Sequence, residues 1–286
     1  MSLMFGIIFL FAVVFGTFIF HGGNPKILID ALPMEFVTIF GAGIAGLIIA
    51  NKVGSFPHFL KILSKLLKGT YWNKNDQIDA VVLSNRLLKI WKTSGAAVIE
   101  THIEDPTSSD IFLDYPKLAA DARFVSFLAD NIRVLINAGN SVNGYHFSDL
   151  LNKNLKLRLE EEMHAVHSLN FLAGAFPALG IVACVLGIVK TMESIDQPPA
   201  ILGSLIAAAL VGTFLGIFLS YGIVEPCSIR LKAIIEKDEN IYHVAKEILV
   251  ANVNGFPEIL MIESVRNCIC IENQPTFDEV FNKLHG

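Results

Sequence analysis

The sequence predicts an all-α polytopic membrane protein with four transmembrane helices and a helical cytoplasmic domain. Three observations carry that prediction. Of the 286 residues 53% are hydrophobic and only 17% charged, where a soluble domain has about 25% charged residues. Two apolar runs, LNFLAGAFPALGIVACVLGIV at 169–189 and ILGSLIAAALVGTFLGIFLSYGIV at 201–224, contain no Asp, Glu, Lys, Arg or His. Each is longer than the ~18 to 20 residues that cross a bilayer core as a helix. A second apolar pair, at 3–20 and about 34–50, opens the chain.

The elements follow in order. Residues 3–20 form an unbroken apolar run without a basic leader or a small-residue cleavage site, so they read as a retained span. Residues 21–30 form a Gly/Pro-containing connection, and 36–50 a second span extended upstream through 32–35. The third and fourth spans are dense in Gly and Ala, which let helix backbones approach closely in lipid. This divides the chain into 1–52 (spans one and two), 53–168 (cytoplasmic helices), 169–226 (spans three and four) and 227–286 (C-terminal cytoplasmic helices). Orientation follows the basic residues. The short connections hold only Lys26 and Lys190, and the remaining 20 of 22 Lys and Arg lie in 52–170 or after 224. Both termini are therefore expected in the cytoplasm.

The polar regions read as helices. The stretch FPHFLKILSKLLK at 56–68 puts Phe59, Leu60, Leu63, Leu66 and Leu67 largely on one face beside Lys61, Lys65 and Lys68. A basic amphipathic helix of this kind lies in a membrane interface. Helical period continues over 76–91 and 110–138, broken by Asp105-Pro106 and Tyr115-Pro116, and a charged helix at 148–167 runs into the third span. After 226 come 230–253 and 257–271, then Pro275-Thr276-Phe277-Asp278-Glu279, a capping-box pattern. The net charge of −5 gives no reason to expect nucleic acid.

Several motifs suggest chemistry and have plainer readings. Gly41-Ala-Gly-Ile-Ala-Gly46 matches the dinucleotide fingerprint, which raises a membrane oxidoreductase as a distant alternative. That fingerprint needs an acidic residue about twenty positions on, after a second strand, and here 61–68 is basic and helical. Glycines inside an apolar 15-mer read better as a helix-packing face. Glu160-Glu161-Glu162 with His164 and His167 offers metal-ligand spacing without a strong third ligand, and Cys268 and Cys270 lack a second pair. No metal or cofactor is expected. The spans carry Asn170, Cys184, Ser204, Thr213, Ser220 and Tyr221, and a span Ser or Thr most often bonds back to its own helix. No Asp, Glu or His falls in the middle of a span, where proton relays normally place one. If the chain conducts protons, a partner is expected to supply the acid.

With these residues in view the chain resembles the MotA family of flagellar motor stator subunits. The resemblance rests on AFPALGIVACVLGIVKTM, GSLIAAALVGTFLGIFLSYG with Pro226, IETHIEDPTSSDIFLDYPKLAAD, and the tail Asn254-Gly255 and Pro275-Thr276-Phe277. It implies a homo-oligomer, a pentamer around a dimer of MotB, whose span carries the proton-binding aspartate and whose outer domain grips peptidoglycan. It also implies a rotor partner, FliG, a place in the bacterial inner membrane, and no covalent catalysis. By motif, Pro177 and Pro226 match the prolines of ion-coupled conformational change, Thr213 the channel threonine, and Lys92 and Glu100 the charges facing the rotor. Relatives often carry Arg at Lys92, so the charge is kept but the planar fork is lost. Sodium-driven relatives have threonine at the position of Cys184. A thiol is a poor ligand for a hard cation, so H+ is the expected ion in preference to Na+. The related ExbB/TolQ proton channels, which energise outer-membrane processes, are the runner-up, and their three spans tell against them.

Overall fold

The computed structural model describes residues 2–51, 54 and 56–286, so the expected boundary between 52 and 53 lies outside the described residues. Among the described residues every regular element is helical. The chain forms two compact units, Met1–Gly69 with Glu162–Ile234, and Thr70–Glu161 with Ile235–Gly286.

The first unit holds α1 (Ser2–Phe20), α2 (Pro25–Ala50), α3 (Phe56–Leu63), α4 (Lys65–Lys68), the later part of α10 (Gly144–Met192), α11 (Pro199–Ile217) and the start of α12 (Glu225–Val253). Among the described residues four helices are long and apolar enough to cross a membrane, with mean hydropathy of 2.7, 1.9, 2.4 and 2.3 in chain order. Large apolar side chains such as Phe20 and Ile49 stand 88% and 86% exposed, as lipid-facing residues do.

Two expectations are corrected here. Residues 25–30 are not a connection, because α2 already begins at Pro25. Asn24 Oδ1 accepts from the Lys26 N–H at 3.0 Å, and Pro25 occupies the first turn, where its missing N–H costs nothing. The helix carries on through Pro33. Likewise the expected single amphipathic helix at 56–68 is two, α3 and α4, parted at Ser64. Lys65 Nζ there pairs with Glu162 Oε2 at 2.7 Å.

The core of this unit is Ile39 and Leu47 from α2, Leu172, Phe176 and Ala183 from α10, Leu215 from α11, and Leu219 just beyond its end. Of the fingerprint glycines Gly43 packs against it and Gly46 against the Phe171 ring, while Gly41 is exposed. They sit mid-helix, and a Cβ on Gly43 would lie 2.6 Å from the Phe176 ring. Phe176 thus fills a notch that any side chain at 43 would close. On the other flank Phe11 and Phe15 of α1 meet Phe218 edge-on at 5.1 and 5.6 Å between ring centroids.

The second unit holds α5 (Lys74–Ser94), α6 (Ala96–Glu104), α7 (Asp110–Leu113), α8 (Pro116–Ala119), α9 (Ala122–Ala138), the start of α10, the rest of α12, α13 (Glu258–Cys268) and α14 (Phe277–His285). Asn73 and Asp76 cap α5 reciprocally. The expected box at the last helix is present, with Thr276 N–H donating to Glu279 Oε2 at 2.6 Å and Glu279 N–H to Thr276 Oγ1 at 3.2 Å. Trp72, Leu87, Phe112, Phe124, Ile248 and Val265 share one core. Tyr242 lies among Phe124, Phe127 and the Arg158 guanidinium, 4.0 Å from its ring centre.

Candidate functional site

Pro177 lies inside α10 and has no N–H for the carbonyl one turn earlier, that of Ala173. The vacancy is filled from the other arm of the hairpin, where Ser220 Oγ donates to the Ala173 carbonyl at 2.5 Å. Ser220 is fully buried. The expectation that span hydroxyls bond to their own helix holds for Thr38, Thr191 and Ser204 and fails for Ser220. Just below the proline the two arms touch backbone to backbone. A Cβ on Gly216 would lie 2.5 Å from the Phe176 carbonyl oxygen and 2.9 Å from Gly180 Cα. A Cβ on Gly180 would lie 2.7 Å from the Gly212 carbonyl oxygen. The glycines therefore set the distance between α10 and α11 at the level of Pro177.

Cys184 lies two turns further along α10 and is 7% exposed. A Cβ on Gly212 would stand 3.2 Å from Cys184 N and 3.2 Å from Ala183 Cβ, so Cys184 faces the turn of α11 that carries Thr213. Thr213 is half-buried, and among the described residues its hydroxyl has no hydrogen-bond partner. The same virtual Cβ would be 2.7 Å from Glu35 Oε2. A carboxylate of α2 therefore reaches the Cys184–Gly212 contact. The sequence left Glu35 at the margin of the second span, with no acid in the middle of any span. The early start of α2 is what draws it inside.

Pro226 sits in the first turn of α12, directly after a π-helical stretch, Phe218–Val224. There the Glu225 N–H donates to the Ser220 carbonyl, five residues back. Wider turns of this kind are frequent at functional positions. A cavity of about 540 Å³ opens beside it, with Gly222, Pro226, Cys227 and Arg230 on one wall and Ser2, Gly6 and Leu10 on the other.

The second unit carries Lys92, in the last turn of α5, and Glu100, in α6. Both are exposed, and neither has an ion pair among the described residues. Gly95, at φ +86°, makes the turn between the two helices, a backbone that L side chains rarely adopt. Other surface charges nearby are engaged, Arg86 with Asp114 at 2.5 Å and Arg133 with Glu104 at 2.7 Å. Among the described residues no three His, Cys, Asp or Glu side chains gather as a metal site. His164 and His167 stand 6.5 Å apart, ring centre to ring centre. Burial pushes the Cys268 thiol up to about 11, so it stays protonated.

Comparison with known proteins bears on the same segments. Residues 4–95 match the family model of the motility protein A N-terminal region, and residues 121–243 that of the MotA/TolQ/ExbB proton channel family. Motility protein A of Salmonella typhimurium is 32% identical over 280 residues, 98% of this chain and 94% of that protein. Chemotaxis protein LafT of Vibrio parahaemolyticus is 32% identical over 284 residues, 98% of this chain and 97% of its own. Among solved structures, C. jejuni MotAB superimposes with a TM-score of 0.72 at 16% identity, over 95% of this chain and 96% of that one. The flagellar MotAB stator complex of Bacillus subtilis gives 0.71 at 17%, over 96% and 98%. These two share the fold.

Proposed function

The chain belongs to the motility protein A family, within the MotA/TolQ/ExbB proton channels, and we propose that it is the stator subunit of a bacterial flagellar motor. In this reading it lies in the inner membrane with both termini in the cytoplasm, as the distribution of its basic residues favours. Five copies surround a dimer of a MotB-type partner, which brings a membrane aspartate and a peptidoglycan anchor. H+ is the ion and no covalent chemistry is involved. Each charge that crosses releases about 2.3 kcal/mol per 100 mV, and the subunit turns that into movement of its cytoplasmic unit. Lys92 and Glu100 push against the rotor protein FliG.

One observation carries the mechanical part. The α10–α11 contact is backbone to backbone at Gly180 and Gly216, and at that level the α10 ladder is broken at Pro177 and closed by a single side-chain bond from Ser220. A packed interface whose backbone bonding depends on one hydroxyl can take a second arrangement at low cost. Cys184 and Thr213 sit beside it, where an ion on the partner's carboxylate would be felt. Binding and release of a proton there would bias the hairpin between its two arrangements.

The test is a deletion strain scored for filaments by microscopy and for swimming in soft agar. The expected result is intact but paralysed filaments, rescued by the wild-type gene and not by Pro177→Leu. Normal swimming in a strain without a second stator, together with failed iron-complex uptake or a leaky envelope, would move the chain to the ExbB/TolQ group.

A further inference from the structure

Glu35 is an acid that the hairpin does not need for packing and yet receives. It stands about 15 Å along α2 from Pro25, at 1.5 Å per residue, and so well inside a helix of 26 residues. Cys184 is about 12 Å from the Met192 end of α10, and Gly212 about 20 Å from the Pro199 end of α11, by the same rise. The three meet where a Cβ on Gly212 would come 2.7 Å from Glu35 Oε2. Among the described residues Glu35 has no hydrogen bond and no ion pair. The apolar runs at 169–189 and 201–224, and all of α1, contain no charged side chain. On α10 the titratable residue at this contact is Cys184, whose main-chain N a Cβ on Gly212 would meet at 3.2 Å, and the nearest acid along α2 is Asp30. A half-buried carboxylate without a partner among apolar helices is an expensive arrangement. Its cost falls when the group carries a proton.

Resting on the stator reading above, we infer that the Glu35 carboxylate is a proton-binding station of the conduction path, supplied by this chain itself. It takes a proton from hydronium in the outer aqueous entrance, forming one O–H bond and leaving water. It then gives that proton to a water beside Thr213 and Cys184, which returns it to the ionised form. Gly212 holds the place of the carboxylate, since any side chain there would displace it. A metal cation at the same point would need several oxygens around it; Ala183, Cys184 and Gly212 present no side-chain oxygen, and beyond the carboxylate only the Thr213 hydroxyl is at hand. A proton needs only the carboxylate.

The experiment uses the whole chain, assembled with its single-span partner in membranes, and reads proton influx with a cytoplasmic pH indicator and motor speed against external pH. Glu35→Gln keeps the shape and cannot take a proton. It is expected to cut influx by about 100-fold or more at unchanged membrane abundance. Glu35→Asp is expected to restore most of the influx with a displaced pH profile, and Gly212→Ala to reduce influx by pushing the carboxylate aside. Wild-type influx and pH profile in Glu35→Gln would overturn the proposal. Absence of influx in the unaltered complex would instead sink the stator reading. If Glu35→Gln fails to accumulate, carbodiimide labelling of unaltered membranes decides, because it traps protonated carboxyls in apolar surroundings. Labelling of the Glu35 peptide that grows as pH falls supports the station, and no labelling at any pH refutes it.

Discussion

The bond from Ser220 to the Ala173 carbonyl can be weighed by a double-mutant cycle with Pro177. The Ala173 carbonyl has no helical donor because residue 177 is proline, and Ser220 Oγ serves it at 2.5 Å from a fully buried position. Removing a hydroxyl that serves a buried acceptor costs about 1–3 kcal/mol. Within membranes such bonds average about 0.6 and reach about 1.7 kcal/mol. The burial of Ser220 and the lack of another donor put this one near the upper end, about 1.5 kcal/mol, or roughly tenfold in the folding constant. Pro177→Ala returns an N–H to residue 177 and lets the helix serve Ala173 itself. In that background Ser220→Ala should cost less than about 0.5 kcal/mol, which leaves a coupling of about 1 kcal/mol. The measurement is reversible unfolding of the purified chain in mixed detergent micelles, followed by far-UV circular dichroism, for the four corners of the cycle. If Ser220→Ala costs the same with proline or alanine at 177, the hydroxyl is not standing in for the missing N–H and the reasoning fails.

Three further outcomes are expected. Gly216→Ala should destabilise by about 1–3 kcal/mol in the same assay, because its Cβ would meet the Phe176 carbonyl and Gly180 Cα, while Gly174→Ala, with nothing within 4 Å, should cost nothing measurable. Lys92→Glu should change stability by less than roughly 0.5 kcal/mol yet lower swimming speed, as read by cell tracking; a matching loss of stability would point to misfolding instead. The Lys74 ammonium and the Thr276 N–H hold the Glu279 carboxyl down from 4.5 to about 2. That stabilisation is present above the unfolded value and is lost as pH falls from 4.5 toward about 2, so Glu279→Gln should flatten the acid side of the thermal-midpoint profile.

Much of the fold was legible because the relevant signals are local. Long uncharged runs announce helices that need lipid, and Thr276 and Glu279, three residues apart, announce a cap that forms as written. The start of α2 was also legible, since Asn24-Pro25 is a helix-start pair, but the glycines before it suggested a connection, and Glu35 was left at the margin as a result. Other features lie beyond any local pattern. That Gly43 receives Phe176 is a fact about two helices far apart in sequence, and until it is known the glycines fit a nucleotide loop as well as a packing face. Ser220 and Ala173 are separated by 47 residues, and nothing near either predicts the other. Lys92 and Glu100 are exposed charges like many on this surface, and only the family resemblance singled them out. The structure adds that they are unpaired where Arg86 and Arg133 are not.

The two prolines meet in one residue. Pro177 leaves the Ala173 carbonyl open, and the side chain of Ser220 closes it. Pro226 follows the π stretch in which the main chain of Ser220 accepts the Glu225 N–H. The hydroxyl reaches across to α10 only in the register that this stretch sets. Tightening Phe218–Val224 to an ordinary α-helix would remove one residue from the turn and rotate Ser220 by about 100°, which takes its hydroxyl away from Ala173. A change at Pro226 is therefore felt at Pro177 without any movement of the helix ends. The reverse also holds, because a new donor to Ala173 removes the reason for Ser220 to keep its register. Two prolines far apart in sequence thus act on a single turn, the one that carries Ser220.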